Sequence, residues 1–422
     1  MWENEYRKAV IRNIIIGILL VASICGLAYA MMEVFQKVEQ EDAQLNAIKV
    51  EQQQQQSDAR QENVAAIQRA YEADLQTVAD YMPGIVCWGD NLTAGSSGNA
   101  SYPYMLQKYI NTYLCDIYDF RSSVVDAAEY SWLKWDDYKV SIPVVNMGSG
   151  QENSKTVLGR AGVMPYKVDK SFEIPAEVES VPITLATVNR EPVSPLTAGD
   201  LGVNPVTING VEGNLTLETK NWKQSYWFQR TTPGDAVAVE AGTEIITASA
   251  SAYQDYIHIV WLGTYDKGVR AADLVQDVRL LLERQLQNPD RYLVIGPCSY
   301  NGSWEASRLS AIDDAMMQAF GNRFINLRQY LVTDGMRDAG FSVTEKDSKD
   351  ISRGNVPESF RSASGSAELN GRAYELAGKL VYERMERLGF FAEIREELGI
   401  DKTTMEILKE DPDYFEKMLK AS

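Results

Sequence analysis

The stretch GIVCWGDNLTAGSSGNASYPYMLQKYI, Gly84 to Ile110, is where the fold assignment turns. Gly84 to Trp88 is a short apolar run of the kind that suits a strand buried on both faces. A turn built around Gly89, Asp90 and Gly95 follows, and from Tyr102 to Tyr113 the apolar residues recur at helical spacing. Strand, turn and helix in that order predict a βα unit.

The pattern repeats along the chain. Further strands are expected at Ile142 to Asn146, Tyr256 to Leu262 and Tyr292 to Gly296, with a shorter one near Arg323 to Leu327. Helical spacing fills Ala271 to Gln287, Trp304 to Phe320 and Ala373 to Leu388. Short buried strands joined by crossover helices predict an α/β fold, a doubly wound parallel sheet. Its ligand crevice should lie at the C-terminal ends of the strands. Between the second and third strands, residues 166–252 differ in character. VPITLATV, NPVTINGVEGNLTLET and AVAVEAGTEIITASA alternate like half-buried antiparallel strands, which predicts an inserted β subdomain. Trp222, Tyr226, Trp227 and Phe228 cluster in it and are read as core rather than as a sugar-stacking platform.

Ahead of the α/β region, Ile14 to Met32 contains no charged side chain and matches the length of a bilayer core. A transmembrane helix is expected, with a cleaved signal peptide ending near Ala28-Tyr29-Ala30 as the competing reading. Arg7, Lys8 and Arg12 precede the run, which predicts a cytoplasmic N-terminus and an extracytoplasmic main domain at the cell membrane. From Glu33 to about Ala79 there is neither Pro nor Gly, so one long helical stalk should follow. Val34, Val38, Leu45 and Ile48 fit a coiled-coil seam that then meets Gln52 and Gln55, leaving a solvated spacer and a homo-oligomeric stalk both open. The expected division is a tail 1–12, a membrane helix 13–32, a stalk 33–80, an α/β domain 83–390 that contains the insertion 166–252, and a helical tail 391–422.

A formal net charge of −18 argues against nucleic acid as a partner, because phosphate binding needs clustered cations. The four cysteines show no disulfide framework or zinc spacing. A single histidine in the chain argues against histidine-rich metal and hydrolase centres, and no metal or cofactor is expected. His258 lies among Ile257, Ile259 and Val260 and should be a packed strand residue.

Four blocks resemble those of the SGNH (GDSL-type) hydrolases, and they occur in that family's order. GDNLTAG at Gly89 to Gly95 is similar to the family's G-D-S-L-T-x-G, with Asn91 at the position of the nucleophilic serine. VVNMGSGQENSKTVLGR is similar to the second block. Alignment on Glu152, Asn153 and Ser154 puts Gln151 where an oxyanion-binding glycine is expected, with Gly150 one residue away. IHIVWLGTYDKG resembles the G-x-N-D block, with Tyr265 replacing the asparagine that completes the oxyanion hole. LNGRAYELAGKLVYERM resembles the helix after D-x-x-H, placing Gly365 at the aspartate position and Glu368 at the histidine position.

The resemblance therefore implies the hydrolase fold, a flavodoxin-like doubly wound parallel sheet, with nucleophile, base, orienter and side-chain oxyanion donor all replaced. Three functions follow as expectations. An inactive pseudo-hydrolase would bind a cell-envelope glycan or a protein partner, with Asn91, Gln151, Tyr265 and Glu368 converging in the crevice or sealing it by bonding to one another. An ester hydrolase or deacetylase with altered chemistry would use Glu368 as general base for a water, with Tyr265 on the oxyanion. A structural scaffold would use the stalk to assemble heads for an envelope structure.

Overall fold

The structure is a computed structural model and describes residues 2–95, 100–111, 141–150, 152–186, 202–220, 223–266, 268–299, 306–364 and 366–399. The chain divides into two compact units, residues 1–72 and 73–422.

The described part of the first unit is helical. It belongs to helix α1, Trp2–Tyr81, which runs without interruption through both the apolar stretch and the polar one. Among the described residues this is the one helix long and apolar enough to cross a membrane. Its polar part is helical for local reasons. It lacks Pro and Gly, and side chains four apart bond to each other, as Gln54 does to Asp58 at 2.9 Å.

The second unit opens with β1 Ile85–Gly89, α2 Asn91–Ala94, α3 Tyr102–Ile110, β2 Val144–Gly148 and α4 Ser154–Arg160. An insertion of strands follows: β3 Tyr166–Val168, β4 Phe172–Ile174, β5 Ser180–Ile183, β6 Leu185–Ala186, β7 Val206–Ile208, β8 Val211–Lys220, β9 Lys223–Arg230, β10 Val237–Val239 and β11 Glu244–Thr247. The chain then returns to alternating elements with β12 Ile257–Trp261, α5 Ala271–Gln285, β13 Tyr292–Ile295, α6 Ala306–Phe320, β14 Phe324–Ile325 and, after short helical turns, α7 Gly371–Arg387.

The alternating elements build a five-stranded parallel sheet in the order β14-β13-β12-β1-β2. Val86, Trp88, Met147, Val260 and Val294 belong to one core with α4, α5 and α6, which contribute residues such as Val157, Leu281 and Ile312. Helices α3 and α7 pack on each other, Tyr109 stacking on Tyr382, and Tyr102 lies against Trp261 of β12 with ring centroids 5.4 Å apart. Helices on both faces explain why β1 and β12 are buried at every position.

Two strands differ from the expectation by two residues at an end, and the other three by one. The second strand begins at Val144, not Ile142, because Pro143 has no N–H for the ladder; its carbonyl instead accepts from Ile85 N at 2.9 Å. The last strand is only Phe324–Ile325. Asn326 ends it by capping the next helical turn, its side chain accepting from Gln329 N at 3.0 Å.

Within the insertion, seven strands form an antiparallel sheet in the order β5-β9-β8-β7-β11-β3-β6, and β10 pairs with β4. Phe228 is fully buried opposite Leu215, and Tyr226 packs half-buried against the same core, while Trp222 lies outside the described residues. Thr247 and Ser249 tether the insertion to the parallel sheet's surroundings, both hydroxyls donating to the Arg160 carbonyl at 2.6 and 2.7 Å. Beyond α7 a short helix, Ala392–Glu397, is described, and residues 400–422 lie outside the described part.

Candidate functional site

The sheet order reverses at β1. The chain leaves β1 for β2 on one side, whereas β12, β13 and β14 extend the sheet on the other. A crevice is expected where neighbouring loops part in this way. The loops after β1 and β12 carry Asn91 and Tyr265 to that point.

The β1 loop is held by its own residues. Asp90 caps α2, its carboxylate accepting from Leu92 N at 2.9 Å. Gly95 closes the turn at φ 87°, its N–H bonded to the Asn91 carbonyl. The end of β2 approaches the same turn so closely that a Cβ on Gly148 would lie 2.1 Å from Ala94 N and 2.5 Å from Thr93 C. Backbone atoms cannot give way as a flexible side chain can. Gly148→Ala is therefore expected to cost about 1–3 kcal/mol and to push α2 out of place. Denaturant unfolding of the variant checks this, and an unchanged midpoint would rule it out.

Asn91 stands at the first position of α2. Its Nδ2 donates to the Tyr265 hydroxyl at 3.2 Å and to Glu368 Oε1 at 3.2 Å. These contacts join residues 174 and 277 positions apart. The two protons of the amide suffice for the two acceptors. Gly150 also reaches the group, since a Cβ on it would lie 3.1 Å from Asn91 Oδ1. Of the positions singled out in the sequence, Asn91, Gly150, Tyr265 and Glu368 thus come together. Gln151 and Gly365 lie outside the described residues. Asn91, Tyr265 and Glu368 are only partly buried, so solvent reaches the trio.

Glu368 is delivered by a loop with its own hydrogen bonds. Arg361 bridges to Leu369, Ser362 N donates to the Glu368 carbonyl at 2.9 Å, and Glu368 N donates to Ser366 Oγ at 3.1 Å. Asn370 then caps α7 by accepting from Ala373 N at 3.1 Å, so the loop ends where the helix must start.

Acidic groups surround the trio. Asp90 is buried, and burial pushes its carboxyl up to about 7, opposed by the Leu92 amide and Thr264 and helped by the charge of Asp266. Burial likewise raises the Tyr265 phenol, with Asp90 and Glu368 adding to the rise. The phenol therefore stays protonated and available to donate.

Beneath the β12 loop a buried network sets the position of Tyr265. Ser154, at the start of α4, gives its N–H to Asp266 at 3.1 Å, and its Oγ lies 2.6 Å from Asp266 Oδ1 and 2.6 Å from Asp277 Oδ2. Lys155 Nζ pairs with the other oxygen of Asp277. One hydroxyl thereby ties the β2 loop, the β12 loop and α5 together. Neither Ser154 nor Asp266 stands among the candidate site positions read from the sequence. Their separation of 112 residues leaves no local pattern by which to find the contact.

His258 lies away from this group. It is fully buried, with Nδ1 accepting from the Trp88 indole at 3.2 Å and Nε2 bonded to the Tyr253 carbonyl at 2.8 Å. Because a carbonyl only accepts, Nε2 carries the proton and the ring is neutral. The packed strand histidine expected from its apolar neighbours is what the structure contains.

Among the described residues no group of three or more His, Cys, Asp or Glu side chains is arranged to hold a metal ion. Cys87 and Cys298 are buried free thiols, and Cys115 lies outside the described residues. Comparison with protein-family models, curated proteins and solved structures returns no match for this chain.

Proposed function

We propose that this chain is a membrane-anchored, non-catalytic relative of the SGNH hydrolases, whose head stands outside the cytoplasm and binds a hydroxyl-rich ligand, a cell-envelope glycan, in its crevice. The observation that carries the reading is the single Asn91 amide bonded to both Tyr265 and Glu368. In the resemblance these three occupy the places of nucleophile, oxyanion donor and general base. An amide is no nucleophile, and here it engages the carboxylate that would have to act as base. What the trio does offer is a phenol, an amide and a carboxylate, partly exposed and close together. That set exchanges its mutual bonds for those of sugar hydroxyls.

The anchor part of the reading is supported by α1, and its orientation by Arg7, Lys8 and Arg12, which precede the apolar run as cations that favour the cytoplasmic face do. The binding part is tested with the full chain in detergent against soluble peptidoglycan and chito-oligosaccharide fragments. Glu368→Ala is expected to weaken binding about tenfold or more, the value of a hydrogen bond that involves a charged group, and Asn91→Ala about fivefold, the value of one between neutral groups. Unchanged binding in both variants would remove the crevice from the proposal. Ester turnover by the native chain that disappears in Glu368→Gln would replace binding with hydrolysis.

A further inference from the structure

One apolar seam runs along α1 from the membrane stretch into the polar stalk. Val38 and Leu45 fall at a positions of a heptad, and Val34 and Ile48 at d positions. The same register counted backwards places Met31 and Ile24 at a and Leu27 and Leu20 at d. The helix is unbroken across all of them, so the seven-residue repeat is continuous; its drift of about 20° per heptad on a straight helix is what a left-handed supercoil takes up. All eight side chains are exposed, from Leu20 to Ile48. Lipid can cover the first ones. Val34, Val38, Leu45 and Ile48 lie beyond the apolar run, where water meets a row of branched aliphatic groups.

We infer that this face is covered by further copies of the same chain, in a parallel and in-register bundle. Charge supports a copy of itself as the occupant. In a parallel coiled coil a g residue meets the e residue five positions further along its neighbour. Lys37 is at g and Asp42, five residues on, is at e, so each chain offers its neighbours an opposite charge at that step. The next two steps, Gln44 with Lys49 and Glu51 with Gln56, contain no like-charged pair. Direction and register come from the anchor on which this inference rests. Copies held by the same span in one bilayer stand parallel and at one depth, which excludes an antiparallel partner. Glu41 interrupts the seam at d, and Gln52 and Gln55 replace its apolar residues further on. Such a short seam is weak in free solution. Confinement to a membrane raises the effective concentration and makes it sufficient.

The test uses the full chain in native membranes, with Cys25→Ser as background and blank, and either Ile48→Cys at d or Val50→Cys at f added to it. Mild oxidation is expected to link chains through position 48 and not through position 50. Adding Leu45→Lys to the Ile48→Cys chain should abolish the product. For chain recovered in the membrane fraction, linkage at 50 as strong as at 48, no linkage at either, or a product that survives Leu45→Lys overturns the bundle while leaving the anchor intact. Chain recovered in the soluble fraction instead overturns the anchor itself, and with it the in-register argument.

Discussion

Arg160→Met is expected to destabilise the head by about 3–5 kcal/mol, the cost of leaving one member of a buried ion pair without its partner. Arg160 and Glu152 are both almost wholly shielded from solvent, at 0% and 1% exposure. Arg160 Nη2 donates to Glu152 Oε2 at 2.6 Å and to the Met147 carbonyl at 2.8 Å, and its Nε lies 3.2 Å from both carboxylate oxygens. The guanidinium also lies 5.6 Å from the centre of the Trp88 ring. Methionine fills much of the arginine volume but leaves the Glu152 carboxylate in an apolar site.

Burial already raises the Glu152 pKa, and Arg160 is what opposes the rise. Without the guanidinium the folded-state pKa climbs further above the unfolded one. A carboxyl with a raised folded pKa contributes stability at low pH and loses it as pH increases. The variant should therefore recover part of its loss on acidification. Glu152→Leu combined with Arg160→Met should regain most of it at neutral pH, because well-packed apolar groups replace such pairs at little cost. Urea unfolding followed by tryptophan fluorescence measures both. A loss below about 1 kcal/mol in the single variant would mean that Glu152 is not held in a dry site.

The second expectation concerns acid. His258 is neutral and buried, and burial lowers its pKa from 6.5 to about 4. A depressed folded pKa gives stability that is present above 6.5 and is lost as pH falls through 4, roughly 3 kcal/mol in all. Asp90 works in the opposite direction. Its carboxyl is raised from 3.8 to about 7, so its contribution is complete below 3.8 and is lost as pH rises through 7, roughly 4 kcal/mol. Across the window between them the two slopes nearly cancel. Asp90→Asn removes one slope while keeping an oxygen to cap α2. The variant is expected to lose about 3 kcal/mol between pH 7 and pH 4, beyond whatever change the native chain shows. Equal pH dependence in the two chains would refute the opposition.

Much of the fold is legible because its code is local. The apolar runs at β1, β12 and β13, the helical spacing of α5, α6 and α7, and the alternation within the insertion each report on neighbours a few residues away. Departures arise where one residue's backbone chemistry overrides the run, as Pro143 delays β2 and Asn326 ends β14. The positions that carry the candidate site are also visible, through their resemblance to catalytic blocks. Their pairings are not.

Residue order alone is enough to read an apolar helix at the start, a run of βα units with a β insertion, and the lack of a serine or histidine at the positions where the resemblance asks for them. Packing of distant segments was needed to choose Tyr265 and Glu368 as the partners of Asn91, to join Asp266 to Asp277 through Ser154, and to set Arg160 against Glu152. The reason is physical. Periodicity and turn chemistry act between residues close in the chain, whereas a buried polar group must take whichever partner the packed sheet brings within about 3 Å.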